Sequence, residues 1–163
     1  MMNLKTQLEQ SFSNNTTSGE EIVALTADPR SLHCHVAERN ALAVGFYELR
    51  IATPELADVS VPRLQQLSEA ISARLTYLLE PIAPIEADAD RCTVQMRSNP
   101  PLKDDDGRSY YELMARRGGE LHLVRYRKEP GGPRERTIAT VTTEVLTRLV
   151  GDLEAALDDF GAE

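Results

Sequence analysis

The sequence predicts an α+β domain: an antiparallel sheet of about six to eight strands, covered on one face by two main helices. Three observations carry this. Two alternating segments flank Gly118-Gly119, three short strand patterns follow one another between Ile22 and Ile51, and segments 62–79 and 143–158 repeat apolar residues at helical spacing. Helices gathered on one side of an antiparallel sheet are a standard layered way to bury both apolar surfaces.

In chain order, Asn3 to Phe12 reads as a short amphipathic helix with Leu4, Leu8 and Phe12 in one stripe. That stripe is narrow enough to dock on the core or on a second copy. Residues 1–19 comprise this helix and the polar linker Ser13 to Gly19. Ile22–Thr26, Leu32–Val36 and Ala41–Ile51 alternate as strands, separated by Asp28-Pro29-Arg30-Ser31 and by Glu38-Arg39-Asn40, and suggest a meander. Ser60 and Pro62 mark a helix start, since a hydroxyl can cap and proline loses nothing in the first turn. Leu64, Leu67, Ile71, Leu75 and Leu78 continue that helix, and Pro81 and Pro84 stop it. Ile82–Ala87 and Arg91–Arg97 form a hairpin around Asp88-Ala89-Asp90, and Ser98–Gly107 is a loop.

Gly118-Gly119 is the strongest local signal, because a two-residue hairpin turn needs positive φ at both positions. A turn there pairs Glu112 with Arg125, Tyr110 with Arg127, Leu113 with Val124 and Tyr111 with Tyr126. The last four residues make one apolar side. The Glu112–Arg125 ion pair and a Tyr110–Arg127 cation–π contact are each worth roughly 0.2–1 kcal/mol. Glu129 to Pro133 forms a five-residue loop, after which Arg134–Val141 returns with Ile138 beside Val124 and Glu135 beside Arg127. Thr142 or Thr143 caps a last helix whose apolar face runs from Val145 to Leu157 and which ends near Phe160-Gly161.

The 163 residues, 41% apolar and 27% charged, suit one domain with an ordinary core built from aliphatic side chains, since aromatics are only 5%. A net charge of -8 argues against general affinity for nucleic acid or anionic lipid. The charge is uneven. Arg108 to Arg136 holds eight Arg or Lys against four Asp or Glu, a local +4 that leaves -12 elsewhere. Cys34 and Cys92, each read as lying in a strand, are too few for a disulfide framework and fit buried thiols in a reducing compartment. There is no apolar signal core and no run approaching the ~18 residues of a membrane span, so the expected location is the cytoplasm.

Motifs for chemistry are weak. His33-Cys34-His35 places two imidazoles on one strand face, with His122 or a carboxylate as a conceivable third ligand, but no spaced ligand pair accompanies them, so no metal or cofactor is assigned. Asp104-Asp105-Asp106-Gly107 fails as a calcium loop, because its glycine falls fourth and the twelfth position is Ala115. No phosphate loop, nucleophile elbow or nucleophile–base–orienter set is present. Arg and Tyr along the basic strands could stack on single-stranded nucleic acid, but the acidity of the chain opposes that.

The segment LTYLLEPIAPIE, residues 75–86, together with RSNPP, DDDG, YYEL, RRGGEL and RYRK further on, resembles an uncharacterised bacterial protein family of planctomycete type, over most of the chain from about residue 61. That resemblance implies no activity and no site residues. The element order is also similar to that of type III secretion chaperones. This likeness implies a small acidic cytosolic homodimer that holds extended segments of other proteins without catalysis, although the longer set of strands after the middle helix departs from that pattern.

The expectation is therefore a non-enzymatic binding or adaptor protein, chaperone-like and homodimeric. A protein partner would be held through a sheet edge or an Arg/Tyr-rich surface of Tyr110, Glu112, Arg116, Arg125, Arg127, Arg134 and Arg136. The rival expectation is an enzyme or small-ligand binder with a pocket between sheet and helices.

Overall fold

The computed structural model describes residues 2–14 and 17–161. Its elements are α1 (Leu4–Asn14), β1 (Glu21–Ala27), β2 (Arg30–Arg39), β3 (Ala43–Ala52), α2 (Val61–Arg74), β4 (Ile82–Asp88), β5 (Thr93–Ser98), β6 (Leu102–Asp104), β7 (Gly107–Arg116), β8 (Glu120–Lys128), β9 (Arg134–Thr137), β10 (Ala139–Thr142) and α3 (Thr143–Gly161). The ten described strands form one antiparallel sheet whose through-path is β1-β2-β3-β8-β7-β5-β4. The count exceeds the expected six to eight because β6 lies within the expected loop and the third basic strand is broken into β9 and β10.

One core joins all three helices to one sheet face. Leu4, Leu8 and Phe12 of α1, Leu64, Leu67 and Ile71 of α2, and Leu146, Leu149, Leu153 and Leu157 of α3 pack with Leu32, Cys34, Phe46, Leu49, Ile51, Leu113, Leu121 and Leu123 of the sheet. The α1 stripe thus docks on its own chain. The Glu154 carboxylate of α3 fixes it there, accepting from the Leu4 and Lys5 amides at 2.9 and 2.8 Å and satisfying two of the free donors at the helix start.

The caps fall where the residue types predict. Ser60 Oγ accepts from the Arg63 amide, and Thr142 Oγ1 from that of Val145. The middle helix is shorter than expected. Leu75 and Leu78 are buried, which is why the apolar period reads through them, but the chain leaves the helix at Leu75. The bent segment that follows carries Glu80 to the sheet, where Arg125 meets it. Cys34 and Cys92 are both buried free thiols. Cys92 lies just before β5 rather than in it, with φ 50°.

The register of the β7–β8 hairpin differs by one residue from the expected one. Arg116 pairs with Glu120, so three residues, Arg117 to Gly119, make the turn. Both glycines do have positive φ, 111° and 106°. The difference comes from outside the hairpin. The Thr53 amide donates to Gly119 O at 2.8 Å, the Gly118 amide to Leu56 O at 3.1 Å and the Arg117 amide to Cys92 O at 3.0 Å. A Cβ on Gly119 would stand 2.5 Å from Thr53 O, so only glycine permits the approach. Because strand side chains alternate, the shift exchanges the partners on both faces.

The sheet also forks. β3 pairs with β8 only from Glu48↔Val124 to Ala52↔Glu120. Beyond that point β9 pairs with β8 and β10 pairs with β3, so residues 134–142 enter the gap, reverse at Ile138 and leave along the other arm. Gly45 makes room for the reversal, since a Cβ there would lie 2.8 Å from Ile138 Cγ2. The expected neighbours Glu135 and Arg127 do pair. Ile138, expected on the apolar side, is 39% exposed on the uncovered face.

Candidate binding face on the open side of the sheet

With all the described helices on one side, the other side of β3, β5, β7, β8 and β9 has no helical cover among the described residues, and the registers lay its side chains out in rows. The outermost row is Lys103–Arg108–Lys128–Arg134, one cation from each of β6, β7, β8 and β9, directly opposite one another. The next is Tyr110–Tyr126–Arg136, with the two rings 5.9 Å apart. Then come Arg97–Glu112–Val124–Glu48 and Gln95–Met114–His122–Arg50. Like charges directly opposite on a sheet disfavour the pairing, so a row of four cations has to be offset elsewhere in the fold.

Part of this face is dry. Tyr110, Glu112, Val124 and His122 are only 2–7% exposed. The guanidinium of Arg134 lies 4.0 Å over the Tyr126 ring and that of Arg97 lies 5.3 Å over Tyr110. Glu112 accepts from Arg134 at 2.6 Å and from Gln95 at 2.9 Å. Burial disfavours the Arg134 charge, but the Glu112 and Tyr110 oxygens outweigh it and raise its pKa. Glu48 meets His122 at 3.2 Å and Arg136 at 3.0 Å. Burial pushes its pKa up, yet these two hydrogen bonds and nearby Arg50 bring it below the ordinary glutamate value.

Five of the seven expected surface residues share this face: Tyr110, Glu112, Arg116, Arg134 and Arg136. Arg125 and Arg127 do not. The Arg125 side chain points to the helices, 7% exposed, where it pairs with Glu80 at 3.1 Å and lies 4.5 Å over the Tyr111 ring. Burial raises the Tyr111 pKa there. Arg127, on the same side as Arg125 but at the rim, is gripped by both oxygens of Asp104 at 3.0 Å. The expected pairs Glu112–Arg125 and Tyr110–Arg127 are therefore replaced by Glu112–Arg134 and an Arg97–Tyr110 contact. Lys103, Arg108, Lys128, Arg97, Tyr126, Glu48 and His122 join the face only once the registers are known.

His33, Arg50 and His122 stand in one row across β2, β3 and β8, so Arg50 stands between the two imidazoles. His35 is taken by Glu20 at 2.7 Å. Among the described residues no group of three or more His, Cys, Asp or Glu is placed to hold a metal ion. Burial, with Glu48 and Glu21 nearby, pushes the Cys34 thiol up to about 12, which makes it a poor nucleophile. Among the described residues no helix is long and apolar enough to cross a membrane.

These features define an α+β protein with a helical layer on one side and an open, arginine- and tyrosine-bearing sheet on the other. No protein-family model, no curated protein and no solved structure matches the chain.

Proposed function

We propose that the chain is a non-catalytic binding module that holds an acidic stretch of a partner protein against the open face of its sheet. The row Lys103–Arg108–Lys128–Arg134 is the observation that carries this reading. Four cations are gathered at one end of one face in a chain of net charge -8, beside the buried Tyr110 ring and the partly exposed Tyr126 ring. A protein segment suits the face better than a nucleic acid. Glu48, Glu112 and Glu120 interleave with the cations, and a continuous phosphate backbone would run over those carboxylates. The test is fluorescence anisotropy with a labelled acidic peptide and a labelled single-stranded oligonucleotide. Binding of the peptide should weaken about tenfold or more in the Lys128→Glu/Arg136→Glu double variant, and should fall with added salt. No peptide binding at low salt, or tighter binding of the oligonucleotide, defeats the reading.

The module works as a homodimer in the same proposal, with β1 as the contact. The two ends of the sheet path differ: β4 carries Pro84, a register shift, Glu86 and Asp88, all of which discourage strand addition. β1 has no proline, and its Ile22 is 67% exposed. Sedimentation should give a dimer that Ile22→Lys converts to monomer; a monomeric parent protein at micromolar concentration removes the proposal.

A further inference from the structure

We infer that the recess between Arg97 and Arg108 is a phosphate site, an inference that rests on the docking face proposed above and names the chemistry of its most basic end. The recess measures about 220 Å³, walled by Ile85, Pro101 and Tyr110 and by the strand end at Ser98-Asn99, with Arg97 and Arg108 both in its lining. What marks these two arginines is how their charge is met. Arg116, Arg125, Arg127, Arg134 and Arg136 each have a carboxylate within 4.0 Å. Among the described residues neither Arg97 nor Arg108 has a carboxylate within 4.0 Å, and Arg97 lies over the Tyr110 ring.

The strand neighbours of Arg108 are cations, although Asp104, Asp105 and Glu129 share a second recess with Lys103, Arg108 and Lys128. Arg108 is flanked in register by Lys103 and Lys128, neither of which has a carboxylate partner among the described residues. Asp104, the nearest acid in that strand, is turned to the opposite side of the sheet and held by Arg127. A cavity of about 550 Å³ elsewhere shows the contrast. It is lined by Lys5, Arg30, Arg148, Asp152, Glu154 and Asp158, and its cations already have acidic partners: Lys5 has Glu9, Arg30 has Glu55 and Asp158, and Arg148 has Asp152.

The ligand charge follows. A guanidinium presents a planar fork of donors that fits two oxygens of one anion, and two such residues lining one recess suit three or four oxygens on one centre. A carboxylate offers two oxygens and one charge, and would leave the second arginine unmatched. A phosphate monoester carries close to two charges and three free acceptor oxygens. The Tyr110 ring, buried and lying under Arg97, holds that guanidinium in place before any ligand arrives. The phosphate has two possible carriers, a phosphorylated side chain of the bound segment or a free phosphate compound, and both use the same contacts.

The experiment uses the full chain and three probes: inorganic phosphate, a phosphoserine-bearing acidic peptide and the same peptide without phosphate. Binding is followed by NMR of the arginine Nε–H and Ser98–Pro101 region signals and by anisotropy of the peptides. Phosphate should shift the Arg97, Arg108 and Tyr110 signals. Arg97→Gln/Arg108→Gln should abolish those shifts, while Arg117→Gln, an exposed arginine at the far hairpin turn, should leave them intact. A phosphopeptide that binds about tenfold or more tighter than its unphosphorylated twin identifies a phosphorylated protein segment as the carrier. Equal peptide affinities together with phosphate shifts at the two arginines identify a free phosphate compound. Unmoved signals with inorganic phosphate, together with equal peptide affinities, overturn the inference while leaving the acidic-segment reading standing. Phosphate binding at the recess with no peptide binding on the face defeats the docking reading and keeps the recess.

Discussion

Arg125–Glu80 and Arg134–Glu112 are the same chemical pair on opposite faces of the same sheet. On the helix side both partners are buried, at 7% and 5% side-chain exposure, and the guanidinium lies on a ring. On the open side the carboxylate is buried at 7%, but its arginine is 43% exposed and lies on Tyr126. The first pair has no water to fall back on, so either member left alone is a stranded charge. The second can exchange its arginine contact for solvent or for a ligand. The comparison teaches that the helix-covered arginine is part of the architecture, whereas the open-face arginines remain available.

Breaking the covered pair should have the largest effect. Glu80→Ala or Arg125→Ala should each cost about 3–5 kcal/mol, because each leaves an uncompensated buried charge, and chemical denaturation measures it. Glu80→Leu combined with Arg125→Leu should recover most of that loss. If the single variants cost less than the open-face change that follows, the distinction between the faces is wrong. Glu112→Gln keeps the shape and the Gln95 neighbour but removes the charge from Arg134. A loss of roughly 1 kcal/mol is expected by denaturation, since one partner is solvent-accessible.

The smallest effect sharpens the comparison through pH. The Glu48 carboxylate is held below its ordinary value by His122 and Arg136. It therefore adds stability above the ordinary carboxylate range, and that contribution is lost as pH falls through the lowered folded-state value. Glu48→Gln should be less stable than the parent at neutral pH by about 0.5–1 kcal/mol. The gap should close under acid, as read from parallel denaturation curves at neutral and acidic pH; a gap that is constant with pH would show that Glu48 acts by shape alone.

What the residue pattern revealed and what it hid have different physical origins. The α1 stripe, the caps at Ser60 and Thr142, the meander and the Glu129–Pro133 loop depend on nearby residues, and each appears where its chemistry requires. The hairpin partners did not follow, because the Gly118-Gly119 turn is positioned by Thr53 and Leu56, more than sixty residues earlier in the chain. A local preference for two-residue turns cannot register such anchors. Glu112 and Arg125 are indeed both in ion pairs, but with Arg134 and Glu80, which lie on other elements. The cation row needed three strand registers together, including that of β6, whose sequence reads as a loop.

The fork sets how the molecule can be assembled. Strands β1 to β3 find partners that follow closely in sequence, as do β4 with β5 and β7 with β8, so two separate ribbons can zip from local contacts. They meet directly over one short seam and are otherwise spliced by residues 134–142, where β9 adds locally to β8 but β10 can pair only once β3 is in place. Closing that splice orders long stretches of chain at once, and it leads without a break into α3, so the final helix is seated by the same stitch that unites the ribbons.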